Sequence, residues 1–396
     1  MKVKLGEVAD VHVSGVDKKT IPGEKPVRLC NYTDVYYNWT IRKELSQNFM
    51  KASARDSEIA KFRLRAGQVA LTKDSETRDD IGHPAYIADD YEDVILGYHC
   101  ALISPHAGIL DGQYLNGLLR TRHMSDYLSR NAGGSGQRYY LSDSTIKAMP
   151  ISLPPFDSQL RIAGVLGSLD EKIALNRKRI AELQALAKTI YDYWFVQFDF
   201  PDKNGKPYKS SGGKMVWNEQ LKREVPEGWE VTMLGTVFSV CSGKDHKHLQ
   251  DGAYPVLGSG GIMRHVTNYL YDGESVLIPR KGTLNNVMFM QSPFWTVDTM
   301  FYTRPKRKGL MKYVYMAIKD FDFARLNTGT GVPSMTASII NRISIALPPS
   351  DLALKIDELL NVLFVRAETL RTEIENLIKS RDTLLPLLIN GQVVVK

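Results

Sequence analysis

The 396-residue chain is poor in the groups that build covalent or metal frameworks. Its three cysteines, Cys30, Cys100 and Cys241, include no CxxC pair, which excludes a disulfide scaffold and a four-cysteine zinc site. Such usage fits a reducing cytosol, so a cytoplasmic location is expected. No stretch approaches the roughly 18 apolar residues of a membrane helix, and the opening MKVKLGEVADVHVSG is charged where a signal peptide needs an apolar core. No GxxxxGK[ST] loop is present for nucleotide phosphates. PDKNGK (201–206) starts like a metal-dependent nuclease motif, but no D/ExK follows, and Cys241, His246 and His248 lack a fourth ligand at metal spacing. LPPFDSQ (153–159) places Leu153 where a methyltransferase that flips a base needs Asn or Asp to accept from the target amine. No catalytic, cofactor-binding or metal site is therefore expected in this chain.

What is present is a duplication. LSDSTIKAMPISLPP (141–155) matches MTASIINRISIALPP (335–349) at an offset of 194, and a glycine turn precedes each copy, GSGQ at 134–137 and GTGV at 329–332. KLGEVADVHVSGVDK (4–18) likewise matches MLGTVFSVCSGKDHK (233–247), with Leu5-Gly6 against Leu234-Gly235. The middles differ in length and content. Similar ends around different middles point to one scaffold carrying two readers. Within each middle, β-type runs alternate with turns: AGQVALT and DVILGYHCALIS, then ESVLIPR and NNVMFMQ. A helix is predicted after each, over YLNGLLRTRHMSDYLSR and GLMKYVYMAIKDFDFARL.

A heptad helix follows each LPP. Ile162, Leu166, Leu169, Ile173, Asn176, Ile180, Leu183, Ala187, Ile190 and Trp194 step by four and three, and 194 positions on stand Ile356, Leu360, Leu363, Ala367, Leu370, Ile374, Leu377, Arg381, Leu384 and Leu388. Such a seam demands a helical partner, and the obvious partner for each helix is the other, run antiparallel. Asn176 and Arg381, its polar members, are expected to fix orientation and alignment. Pro154-Pro155 and Pro348-Pro349 end strands, with Asp157 or Ser158 and Ser350 or Asp351 as caps. The predicted fold is α+β: two similar domains at 1–155 and 231–349, long helices at 156–200 and 350–396, and a Gly/Lys/Ser/Pro-rich linker at 201–230. The net charge is +7, and the two helical segments together carry −1, so the basic excess lies in the rest of the chain. That balance permits a polyanionic partner.

The residues quoted above, with VPEGWEVTMLG and the central spacer LPPFDSQLRIAGVLGSLDEKIALNRKRIAELQALAKTIYDYWFVQFDFP, resemble the specificity subunits of type I restriction–modification enzymes over nearly the whole chain. The resemblance implies two target-recognition domains separated by an antiparallel helical pair, each reading one half of an asymmetric bipartite duplex. It also implies two modification (methyltransferase) subunits as partners and restriction subunits in the full complex. S-adenosylmethionine would then belong to the modification subunits, and ATP and Mg to the restriction subunits. The competing readings are a methyltransferase or nuclease acting directly, and a coiled-coil scaffold without sequence preference.

Candidate contacts follow from side-chain chemistry. In the first domain Asn31, Tyr32, Tyr36, Tyr37 and Trp39 lie among turn residues and basics, as base contacts or as core aromatics. Lys73, Ser75, Thr77 and Arg78 lie on a polar loop after a strand, and Gln137 and Arg138 on the glycine turn. The second domain offers Ser259, Arg264, His265, Arg280, Lys281, Asn285, Asn286 and Ser334. Arg pairs with guanine and Asn with adenine through two hydrogen bonds each.

Overall fold

The computed structural model describes residues 2–329 and 331–395. Two compact units emerge: residues 1–177 with 371–396, and residues 178–370. The first is built on a five-stranded sheet in the order Ala9–Val13, Cys100–Pro105, Val69–Thr72, Pro84–Ile87 and Thr40–Ile41. The second has four strands in the order Phe238–Ser242, Met300–Pro305, Ser275–Pro279 and Met288–Met290. VALT and SVLIP are buried at every position, which is why they read as continuous runs and not as alternating ones. Val69 and Leu71 face one core of the first unit and Ala70 the other, so its sheet is covered on both sides.

A smaller sheet recurs in each unit. Lys25–Cys30 pairs antiparallel with Met50–Ala54 and parallel with Val94–Leu96. Asp251–Gly258 pairs antiparallel with Gly261–Val266 and parallel with Trp295–Thr296. The topology is one; the hairpin connection is residues 31–49 in the first unit and only 259–260 in the second. DVILGYHCALIS, expected as one strand, is two. Gly97-Tyr98-His99 breaks it, with His99 at φ 72°, and the halves serve different sheets.

The duplicated ends make equivalent contacts. Lys2–Lys4 pairs with Pro150–Ser152, as Glu230–Met233 pairs with Ser344–Leu347. The Leu5 and Leu234 amides donate to the Met149 and Ile343 carbonyls, each at 2.9 Å. A Cβ on Gly6 would stand 3.0 Å from Lys147 Cβ, and one on Gly235 3.0 Å from Asn341 Cβ, so the Leu-Gly pair is a packing requirement. Buried Tyr114 donates its hydroxyl to the Ser152 carbonyl at 3.0 Å, and buried Tyr313 donates to that of Ala346.

The predicted amphipathic helices are shorter than their patterns. In the first unit Gly112–Leu119 and Arg122–Asn131 are separate, and in the second Met311–Ile318 is followed by a 3-10 turn at Phe323–Leu326. Arg120 makes the break. Its guanidinium donates to the Asn38 and Pro84 carbonyls and lies 4.4 Å from the Trp39 ring. Burial pushes its pKa down to about 10, so it stays charged at neutral pH.

The long helices span Phe156–Tyr191 and Ser350–Ile389, ending earlier than the 156–200 and 350–396 expected. Neither Asp157 nor Ser158 caps the first: the helix has already begun at Phe156, where Asp157 lies in the first turn and favours the positive end of the dipole. Buried Gln159 ties this start to its unit, accepting from the Asp111 amide at 2.9 Å and donating to the Ile109 and Pro154 carbonyls. None of the twenty seam positions is exposed. In the first unit Leu166 clusters with Leu385 and Leu388, while Lys172 meets Glu373 at 3.2 Å, so the two stretches run antiparallel. In the second unit Ala187 and Tyr191 share a core with Ile356 and Leu360. Buried Lys312 joins the Glu274 and Asp357 carboxylates there.

The segment 201–230 is folded, which corrects its reading as a linker. Met215–Asn218 pairs with Arg223–Pro226, and Phe200 stacks on Tyr208 with ring centres 4.7 Å apart. Asp199 accepts from the Ser210 amide and hydroxyl at 2.7 and 2.6 Å, which holds its carboxyl below the usual range. Trp229 stands edge-on to Phe198, and both pack with Phe195 as the first long helix gives way to a π turn at Asp192–Val196. Its composition is that of a linker, but its aromatics supply a core.

Candidate DNA interface

The interior strand of each unit leaves its sheet through the same three-part clasp. In the first unit the Lys73 amide donates to the His99 carbonyl at 2.8 Å, and the Leu141 amide donates back to the Lys73 carbonyl at 2.7 Å. In the second the Arg280 amide donates to Thr299 at 2.8 Å and the Met335 amide to Arg280 at 2.9 Å. Each strand exit is thus held between a turn (97–99 or 297–299) and the arm of a glycine turn. Asp74 pairs with Tyr140 as Lys281 bridges Ser334. Gly134, at φ 94°, is required by this clasp: a Cβ there would lie 2.1 Å from the Arg138 carbonyl oxygen. Lys73 and Arg280 are therefore equivalent positions, a relation hidden by the unequal lengths of the middles.

The clasp divides the candidates by how far their polar groups are already committed. In the first unit Asn31 is buried, and its backbone N–H donates to the Asp34 carboxylate at 2.7 Å at the start of the Tyr32–Tyr36 helix. Tyr32 stacks on Tyr36 and is half-buried, its hydroxyl pushed up to about 12 chiefly by burial. Lys73 is buried, with its ammonium 2.7 Å from Asp74 and over the Tyr98 ring. Arg78 caps a helix end by donating to the Ser129, Arg130 and Ala132 carbonyls at 3.1, 3.3 and 3.3 Å. Ser75 accepts from the Thr77 amide at 3.2 Å. Tyr37, Thr77, Gln137 and Arg138 are exposed. Trp39 is withdrawn altogether, since Arg120 and Arg381 stack on it at 4.4 and 3.9 Å.

In the second unit Arg264 is spent on the Leu249 carbonyl and Asp251, at 2.8 and 2.9 Å. Asn285 bridges Asp322 and the Ala324 amide, and Asn286 donates to the Ser259 carbonyl at 2.8 Å. The Ser334 amide donates to the Asn327 side chain. His265 is half-buried in the Gly261–Val266 strand. Arg280 lies over the Phe301 ring at 5.7 Å and Lys281 is exposed; neither forms an ion pair with a described residue. Of the group, these two cations remain available to a polyanion.

Sequence reading missed the brace beside the first clasp. Asp80 accepts from the Tyr36 hydroxyl at 3.0 Å and meets His83 Nε2 at 2.7 Å, and the Tyr36 and His83 rings lie 4.4 Å apart. It also missed exposed Tyr140 and, in the second unit, Arg304 stacked on Tyr271 and Tyr302 at 5.3 and 5.5 Å. Only the TRDD spacing hinted at the first; nothing local marks the others. Cys241, His246 and His248 do not converge. His248 packs edge-on to Trp295 and Cys241 packs with Tyr302, and no three His, Cys, Asp or Glu among the described residues could hold a metal. Among the described residues no helix is long and apolar enough to cross a membrane.

One scaffold, copied, with divergent loops at each strand exit, is the build of a recognition protein. Residues 1–185 and 226–380 match the model of the type I restriction modification DNA specificity domain, and the chain belongs to that family. Its role is DNA specificity. It is 26% identical over 429 residues to the type I restriction enzyme MjaIX specificity subunit of Methanocaldococcus jannaschii, covering 100% of this chain and 93% of that one. It is 20% identical to the type I restriction enzyme HindI specificity subunit of Haemophilus influenzae, covering 84% of this chain and 88% of that one. Its fold resembles the crystal structure of a type I restriction–modification S subunit from M. genitalium, with a TM-score of 0.55, 17% identity, and 98% and 95% of the two chains covered.

Proposed function

We propose that each unit reads one half of an asymmetric bipartite duplex target, and that the chain itself contributes no catalytic group. The observation that carries this is the repeated strand-exit clasp, which presents Arg280 and Lys281 in one unit and Thr77, Gln137 and Arg138 in the other. Phosphate contacts from such cations position a protein, while base-edge contacts specify sequence. Two modification subunits carry S-adenosylmethionine and the chemistry, and restriction subunits with ATP and Mg join them. The modification subunits dock on the long helices and adjoining flanks; a groove lined by Trp194, Lys355, Glu358, Leu359 and Val362 offers apolar surface for this.

The test is methylome sequencing of host cells carrying wild type or Arg280→Ala with Lys281→Ala. The variant should relax one half of the methylated motif and leave the other intact. Uniform loss of binding over random DNA would make these residues phosphate anchors instead. Methyl transfer by the purified chain alone would overturn the non-catalytic role.

A further inference from the structure

We propose that Ile262 and Met263 form an apolar wedge that enters the base stack of the half-site read by the second unit. The proposal rests on the DNA reading above and adds a mode of contact to it. The two side chains are adjacent at the tip of the hairpin joining Asp251–Gly258 to Gly261–Val266, and they are 56% and 59% exposed. Isolated exposed apolar groups are ordinary, but two large neighbours exposed together at a hairpin end mark an interaction site.

The tip is tied to the strand exit. The Ser259 carbonyl accepts from Asn286 at 2.8 Å, and Ser259 Oγ lies 3.0 Å from where a Cβ on Gly282 would stand. The hairpin therefore lies directly against the strand exit that carries Arg280 and Lys281. Gly260 and Gly261, the latter at φ 115°, place no side chain over the wedge and let the backbone approach closely. Two cations lacking a described ion-pair partner beside an exposed Ile-Met pair match duplex DNA on both counts. Phosphates take the charge, and a base step takes the apolar group, which unstacks it.

The first unit supplies an independent parallel. In the connection between its own hairpin strands it exposes Tyr37 to 75%, with the ring 4.8 Å from Tyr36. Tyr36 in turn is fixed to Asp80 on the loop that follows the strand exit. In both units the small hairpin thus presents a large uncovered side chain, from its connection in the first and from its second strand in the second.

The experiment uses the complex of the chain with its modification subunits and a duplex bearing the motif read from the host methylome. 2-Aminopurine is placed in turn at each position of the second half-site other than the methylated base. Binding should raise fluorescence severalfold at one step. Ile262→Ser with Met263→Ser should abolish that rise and weaken target binding about tenfold, comparable to one mismatched base pair. Random-DNA binding and melting temperature should be unchanged, and Ile262→Leu should retain the signal. Motif-selective binding without a fluorescence rise at any position, or a rise untouched by the double variant, overturns the wedge and leaves the reading standing. A wild-type complex with no motif preference overturns the reading itself. Failure of the double variant to assemble with the modification subunits, while still folding, overturns the wedge by assigning the tip to a protein partner.

Discussion

Asn176 lies on the seam of the first long helix at 0% exposure, and neither its amide nitrogen nor its oxygen has a hydrogen-bond partner among the described residues. A buried amide left unbonded costs about 1–3 kcal/mol. Asn176→Leu is therefore expected to raise the melting temperature, with a gain of up to that size in denaturant unfolding. Any loss of a single, well-defined pairing would show that the amide serves register at the expense of stability. The hydroxyls of Tyr114 and Tyr313 are the opposite case, since each satisfies a carbonyl just before an LPP. Tyr114→Phe and Tyr313→Phe should each cost about 1 kcal/mol. They lie in separate units, so the two losses should add in the double variant. At this scale the sequence was least legible. Arg381, expected to help fix the alignment of the helices, stacks on Trp39 and pairs with Asp382 at 2.9 Å. Nothing within ten residues of either end of such a contact announces it. Arg78 shows the same limit: a cation on a polar loop looks like a phosphate ligand until a helix end is found beneath it.

The long helices were the most legible elements, because a seam repeated over four heptads twice leaves few alternatives. Burial grades the seam. Ile173 is 2% exposed, whereas Ile180 is only half-buried. Ile173→Asp should cost several kcal/mol through an unpaired buried charge. Ile180→Asp should cost less, since its carboxylate can reach water. Thermal melts of the two variants decide the matter, and equal, negligible shifts would show that the seam contributes no stability. The duplication was equally legible where scaffold atoms touch, as at Gly6 and Gly235, because close packing constrains residue type. The middles were not. The 31–49 connection and the tight 259–260 turn close equivalent hairpins in the two units, but they share no length or sequence that would reveal it. The 201–230 segment misled for another reason. Its glycines and lysines dominate the composition, while the fold is decided by the sparse Phe200, Tyr208, Val225 and Trp229.

For the molecule as a whole, each long helix begins in one unit and ends in the other: Phe156 and Ile389 belong to the first, Tyr191 and Ser350 to the second. A continuous helix of 36 or 40 residues is a fixed length of about 54 or 60 Å. We propose that helix length sets the unread gap between the two half-sites. Four residues inserted after Arg177, with four more after Arg371 at the matching position of the repeat, would add about 6 Å and turn one end by about 40°. B-DNA takes about 34 Å and 10–10.5 base pairs per turn, so this step matches between one and two base pairs. Arg177 and Arg371 are both exposed, so the added residues need not be buried, and a four-residue stutter unwinds a coiled coil locally without destroying it. Both strand-exit clasps lie far along the chain from the insertions and keep their residues. The methylated motif of cells expressing the variant should therefore keep both half-site sequences and gain one or two unspecified base pairs between them. A changed base in either half with the gap unaltered would mean that the helices do not measure the distance.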